Sequence, residues 1–252
     1  MTNALKLITV GLLSTFILYG CKKEEEEVAE TTVEASGSTD ISVLASKFNT
    51  GNTTFTINGS NIVITTKSQP DHKSAYYPVG HSLYESYSVS GFNQNPNEIV
   101  EQSITMTIPR YPSIASNHES TPMGTMGVAV NSVSLYNQSA APGDVLEDEI
   151  PTFDQWDGHP QGQGNYHYHL ESSWLTQENG NEGLVGLLMD GFPVYGTHEN
   201  GTLITNADLD EYHGHFSVTP DFPAGIYHYH VTGESPYING NGFYGIAGTI
   251  TH

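Results

Sequence analysis

Between Glu101 and Ile108 polar and apolar residues alternate, with Ser103, Thr105 and Thr107 set against Ile104, Met106 and Ile108. A period of two puts the two sets on opposite faces of a pleated chain and predicts a half-buried strand. Pro109 and Pro112 close it. Two shorter runs, Thr54-Phe55-Thr56-Ile57 and Ile62-Val63-Ile64-Thr65, flank Asn58-Gly59 and predict a hairpin. Two longer apolar runs open on glycine, Gly127 to Tyr136 and Gly186 to Tyr195, and Phe243 to Ile250 reads as a last strand. No stretch holds a 3.6-residue apolar period over three turns, and Trp174 to Glu178 and Asn206 to Tyr212 are the candidates for short helices. With 26 Gly and 13 Pro breaking up the strands, the predicted class is all-β, a single sandwich-like or distorted-barrel domain over residues 41–252.

The beginning of the chain reads differently. Lys6 precedes an apolar stretch from Leu7 to Leu18 that ends in Leu18-Tyr19-Gly20-Cys21, which resembles a bacterial lipobox. Residues 1–20 are thus expected to be a lipoprotein signal peptide, and the resemblance implies cleavage before Cys21 and its lipidation. Residues 21–40 carry Glu24 to Glu27, Glu30 and Glu34 with almost nothing apolar, the composition of a disordered acidic tether. The expected location is the outer membrane or cell surface of a Gram-negative type of cell, with the membrane reached through a lipid anchor.

Charge narrows the partners. The chain has 28 acidic and 7 basic residues; without Lys6, the one charged residue before Cys21, six basic residues remain and the net charge is −22. Phosphate neutralisation needs cationic side chains that are missing here, which excludes nucleic acid and favours a cation as partner. Cys21 is also the only cysteine, so the β domain has no disulfide and no thiolate to offer a metal.

The chemistry lies in a repeated pattern. Tyr166-His167-Tyr168-His169 returns sixty-one residues later as Tyr227-His228-Tyr229-His230. Gly158-His159 and Gly214-His215 precede the two runs at an offset of 56, and the glycine-led strands precede those at an offset of 59. Three features in one order indicate an internal duplication, with halves at about 123–172 and 183–233 and a pseudo-twofold relation between them. On a strand, His167 and His169 leave one face together while Tyr166 and Tyr168 leave the other, so each copy offers two imidazoles as a metal chelate.

Adding the upstream histidine gives two sets, His159, His167, His169 and His215, His228, His230. Three imidazoles leave a coordination position open for water or substrate. If the two strands face each other instead, four histidines close one shared site. Without thiolates the expected ion is copper or zinc; Met123 and Met126 are possible soft ligands for cuprous copper, or packing residues. Asp157 and Asp190 are candidates for orienting imidazole from behind, and both sit where an Asp turn is an equally simple explanation. His81, His118, His198 and His252 lie outside the pattern and read as surface or loop residues.

Taken together, Gly164 to His169, Asp190-Gly191-Phe192-Pro193-Val194-Tyr195-Gly196 and Gly225 to Val231 resemble the YHYH family of bacterial exported proteins. The similarity reaches back to Pro70-Asp71-His72, Thr107-Ile108-Pro109-Arg110 and Met126 to Asn131, and the family pattern adds His72 as a possible ligand. Many members carry a cysteine where this chain has Trp156 and Tyr212, so no family disulfide is expected here. The resemblance implies no particular activity.

Three functional readings follow. The first is a lipid-anchored envelope protein that binds copper or zinc through the duplicated His-x-His strands. The second is a metal-dependent hydrolase or oxidase with an open three-histidine site and Tyr166, Tyr195 or Tyr227 beside it. The third is a surface module for glycans or proteins, in which tyrosines stack on the ligand.

Overall fold

The computed structural model describes residues 39–48, 51–140 and 145–252. The expected signal peptide, the expected lipidation site at Cys21 and nearly all of the expected tether therefore lie outside the described residues. Residues from Thr39 on fall within one compact unit.

The alternating segments form the first sheet. Strands β1 (Thr53–Asn58), β2 (Asn61–Thr66) and β3 (Ile104–Pro109) join in antiparallel register, and β14 (Thr249–Thr251) adds to β3 as the last strand. Asn58 pairs with Asn61, so the hairpin loop is Gly59-Ser60, with Gly59 at φ 61° where only glycine is relaxed. Ile104, Met106 and Ile108 point into the core, as the alternation requires. The C-terminal strand is shorter than the apolar run suggested: Phe243 to Gly248 is irregular and only Thr249 to Thr251 pairs with β3.

The duplicated segments form the second sheet. Its eight strands are ordered β12-β13-β9-β8-β4-β5-β7-β6. One half is β4 (Thr125–Ala129), β5 (Ser134–Tyr136), β6 (Gly158–Pro160) and β7 (Tyr166–Tyr168). The other is β8 (Leu184–Leu188), β9 (Pro193–Tyr195), β12 (Gly214–Ser217) and β13 (Ile226–His230). Strands β4 and β8 run antiparallel at the centre, where Gly127 pairs with Leu188 and Ala129 with Gly186. The pairing is the same on either side: Leu135 opposes Tyr168 and Val194 opposes Tyr229 in parallel, while His159 opposes His167 and His215 opposes His228 in antiparallel. The predicted pseudo-twofold is thus built into one sheet. Its two inner glycines have a steric reason, since a Cβ on Gly127 would meet the Leu187 carbonyl at 2.5 Å and one on Gly186 the Val128 carbonyl at 2.3 Å.

The two sheets share one apolar core. Ile62, Ile64, Ile104, Met106 and Ile108 of the first pack in the same cluster as Met126, Val128, Leu135, Leu187, Leu188 and Val194 of the second. Thr53 and Thr66 bond Ser132, and Ser68 bonds Ser134, which ties the sheets together at their polar margin. The fold is therefore the sandwich-like alternative. A small ribbon of β10 (His198–Glu199) and β11 (Thr202–Leu203) and two short helices, α1 (Leu146–Glu149) and α2 (Ser173–Asn179), fill the connections.

Candidate metal centres

Both faces of the Tyr-His strands are buried. On one face Tyr166 and Tyr168 enter the core, and on the other His167 and His169 meet His159, which the antiparallel pairing of β6 with β7 places opposite. His167 Nε2 lies 3.1 Å from His159 Nε2 and 3.0 Å from His169 Nε2. In the second half His228 Nε2 is 3.1 Å from His230 Nε2, and the rings of His215 and His228 have centroids 4.9 Å apart. Four strands lie between β7 and β13, about 24 Å at ordinary strand spacing. The two sets are separate, and the arrangement in which two facing strands close a single site is overturned by the strand order.

Hydrogen bonding fixes where the protons are. His167 Nδ1 faces the Asn165 carbonyl at 3.0 Å and His169 Nδ1 the Asn137 carbonyl at 2.6 Å. The same bonds recur as His228 to the Ile226 carbonyl at 3.0 Å and His230 to the Gly196 carbonyl at 2.7 Å. A carbonyl only accepts, so each of these rings carries its proton on Nδ1 and turns the Nε2 lone pair inward. For His159 the partner is Thr152 Oγ1 at 2.6 Å, whose own proton goes to the Glu149 carbonyl, so it too accepts from Nδ1. Three bare nitrogens in the first half thus point at one volume.

A proton there is unfavourable. Burial is the main cause that lowers the His159 pKa to about 3, with His169 adding to it, and the same burial lowers His169 to about 4. His167 falls well below the usual imidazole value through burial and then its two neighbours. His228 drops to about 3 through burial and then His230, and burial also lowers His230. Lone pairs 3.0 Å apart repel without a cation between them. A tetrahedral ion with bonds of about 2.0–2.1 Å would hold its nitrogens roughly 3.3 Å apart, a few tenths wider than found. The two groups could each hold a metal ion.

Each centre also has a carboxylate that sequence reading did not find. Glu149 Oε2 lies 3.6 Å from His159 Nε2 and 3.7 Å from His169 Nε2. Glu199 Oε2 lies 3.3 Å from His215 Nε2, and Oε1 3.9 Å from His228 Nε2. His215 Nε2 is buried and makes no conventional hydrogen bond, so this carboxylate is the polar neighbour it has. The acids come from unrelated places: Glu149 ends α1, while Glu199 sits on β10, where the repeat offset would place Ala140 in the first half. Adjacent acids, Glu147-Asp148 beside Glu149, hid the first; a two-residue strand hid the second.

Three other candidates are placed elsewhere. His72 lies on the tyrosine face, with Nε2 2.8 Å from Tyr168 Oη and its ring against Trp156 and Trp174, and belongs to neither set. Asp157 sits in a turn at φ 64° and accepts from Ser173 N at 3.2 Å at the start of α2; it orients no imidazole. Asp190 is fully buried and accepts from Tyr229 Oη at 2.6 Å and Gly245 N at 2.9 Å, so it fixes a tyrosine on the far face. The real orienting groups are the backbone carbonyls and Thr152.

The remaining residues divide as follows. Tyr166 faces buried Asp154 and Tyr227 faces Asp210, which is exposed, both away from the imidazoles. Tyr195 bonds Asp221 at 2.9 Å and places its ring edge-on to His228, and its counterpart Tyr136 stacks on His167 at 3.8 Å. Met126 is core, whereas Met123 is exposed on the cleft beside the first set. His81 and His252 are exposed; His118 bonds the Phe243 carbonyl and His198 is half-buried. His213, which sequence reading passed over, is buried with Nε2 3.0 Å from Thr232 Oγ1.

The family model described as YHYH protein matches residues 105–204 and 197–243. No curated protein and no solved structure matches the chain. The matched stretches cover more than half of the chain and hold both histidine sets with the strands that carry them, and the chain belongs to the YHYH family.

Proposed function

We propose that this protein is a lipid-anchored envelope protein that binds two transition-metal ions, copper or zinc, one in each half of its duplicated sheet. The observation that carries the reading is the convergence of His159, His167 and His169: each donates from Nδ1 to a fixed acceptor, and each presents a bare Nε2 to one buried volume. Three neutral imidazoles and a carboxylate suit zinc or copper and give a hard cation such as calcium too few oxygens. The net charge of the chain favours cation capture. The anchor rests on the lipobox-like run at Cys21, and the acidic run after it is consistent with export to the cell surface.

The test is metal content. Full-length protein without a histidine tag, exported by its own leader and then loaded with copper or zinc at pH 7, is expected to retain two ions per chain by elemental mass spectrometry. His167→Ala and His228→Ala are each expected to remove one. A folded wild-type chain that retains no ion after loading refutes the reading, and a single ion lost only in the double variant refutes the two-centre form of it.

A further inference from the structure

The two His-x-His pairs are alike in nitrogen geometry, and the two sets are unlike in how close the third histidine comes and in what surrounds them. The first opens on a cleft of about 450 Å³ to which His159, His167 and His169 all contribute. The second adjoins a pocket of about 140 Å³ lined by His228 and His230. In the second, Glu199 joins the three imidazoles in a group whose ligand atoms all lie within 4.8 Å of one another; in the first, the corresponding group is the three imidazoles. Glu199 is also anchored, because Ser217 Oγ on β12, the strand that carries His215, donates to its carboxylate. One strand thus supplies a ligand and the clamp on its neighbour.

We propose that the centres are inequivalent: the ion of the first half keeps a coordination position open to a small neutral or cationic molecule with a nitrogen or oxygen donor, and the ion of the second half is closed by Glu199. The inference rests on the two-metal reading above and adds to it which centre meets a ligand. Its chemistry follows from the walls. Apart from the histidines, Glu149 is the one side chain among the described lining residues of the first cleft that is charged at pH 7, and the rest is Asn95, Asn97, Gln161, Tyr136, Met123 and smaller neutral residues. Besides the ion itself, no Lys or Arg among the described residues lines the cleft to receive an anionic group, and the Glu149 carboxylate repels one. Two of the amides are also spent inward, since Asn95 and Asn97 donate to the Pro160 carbonyl at 3.1 Å and 3.2 Å.

Cobalt(II) reports coordination number through its visible absorption, and imidazole is a neutral nitrogen donor of suitable size. The full chain loaded with two cobalt ions is expected to show a saturable spectral change with imidazole in half of its cobalt, without loss of metal. Acetate is expected to act at least tenfold more weakly. A His228→Ala, His230→Ala chain is expected to keep one cobalt and the whole response. Glu199→Ala, which leaves all six imidazoles in place, is expected to double the response by opening the second centre. Two retained ions with no imidazole response, a response confined to the second centre, an unchanged response in Glu199→Ala, or tighter binding of acetate would each overturn the inference while the two-metal reading stands. Failure to retain cobalt, copper or zinc would overturn that reading instead, and elemental analysis separates the two cases.

Discussion

Acid is expected to unfold the metal-free protein well above the pH at which most domains fail. Five buried imidazoles, those of His72, His159, His169, His213 and His228, are held at about 3 to 4, with burial the leading cause for each. Unfolding returns them to about 6.5, so the unfolded chain binds protons that the folded chain refuses. Their contribution to stability is complete above about pH 6.5 and is lost as pH falls towards the folded values. Between pH 7 and pH 5 the loss is about 1.8 kcal/mol for each, or about 9 kcal/mol together. Buried Asp154 and Asp190 act the other way: burial raises both to about 6, so the folded chain takes up protons first and stability falls as pH rises from about 4 to 6. Lowering pH from 7 to 5 relieves about 1.3 kcal/mol at each.

The net is a loss of about 6 kcal/mol over two pH units, against a total stability of about 5–15 kcal/mol for a typical domain. The assay is urea unfolding of the full chain after chelator treatment, at pH 7, 6 and 5. Trp156 and Trp174 pack against His72 with ring centroids 5.8 Å and 5.5 Å away, so their fluorescence reports on the same region. The urea midpoint is expected to collapse by pH 5, and in metal-loaded protein to hold to lower pH, because a bound ion keeps protons off Nε2. A metal-free stability that changes by less than about 2 kcal/mol between pH 7 and 5 refutes the reasoning, since the imidazoles could not then be both buried and neutral.

Two other outcomes are expected. Asp190→Ala leaves the buried Tyr229 hydroxyl and the amides of Gly245 and Phe192 without their acceptor and should cost about 3–5 kcal/mol in urea unfolding; Asp190→Asn, which keeps one carbonyl oxygen, should cost about 1–2 kcal/mol. A loss under about 1 kcal/mol for the alanine variant refutes the buried acceptor role. At the other end of the chain, labelled palmitate is expected to enter the wild-type protein and not Cys21→Ala, and equal labelling of both removes the anchor from the proposal.

Much of this architecture was legible because it depends on local periods. The alternation at Ile104, Met106 and Ile108 names a face whatever the rest of the chain does, and so does the alternation of Tyr166 to His169. The duplication supplied the third imidazole in each half, since only a repeat distinguishes His159 and His215 from any other Gly-His pair. What failed was non-local. Whether the two strands face each other is a matter of sheet order, set by the antiparallel meeting of β4 and β8, which no window of sequence contains. His72 shares its residue type with the two histidine sets but lies across the sheet from the first, bonded to Tyr168. Glu149 and Glu199 come from a four-residue helix and a two-residue strand, where no periodic signal exists.

The comparison of the halves separates what the fold needs from what the centres need. On the tyrosine face the copies have diverged: Tyr168 bonds Asn131 and His72, while Tyr229 bonds Asp190, which occupies the Asn131 position one repeat on. Likewise Asp157 and His213 fill the same left-handed turn, at φ 64° and 74°, with unrelated partners. A packed core tolerates such exchanges. On the histidine face the copies coincide: the Nε2 atoms of His167 and His169 are 3.0 Å apart and those of His228 and His230 3.1 Å, each ring locked through Nδ1 to the corresponding carbonyl. Burying His159, His167, His169, His228 and His230 costs stability at every pH where they could be charged, and apolar residues would serve packing alone at lower cost. The agreement of two otherwise diverging halves on that costly face supports the proposed metal sites. Their disagreement over the carboxylate, delivered by α1 in one and by β10 in the other, is what the proposed inequivalence of the two centres rests on.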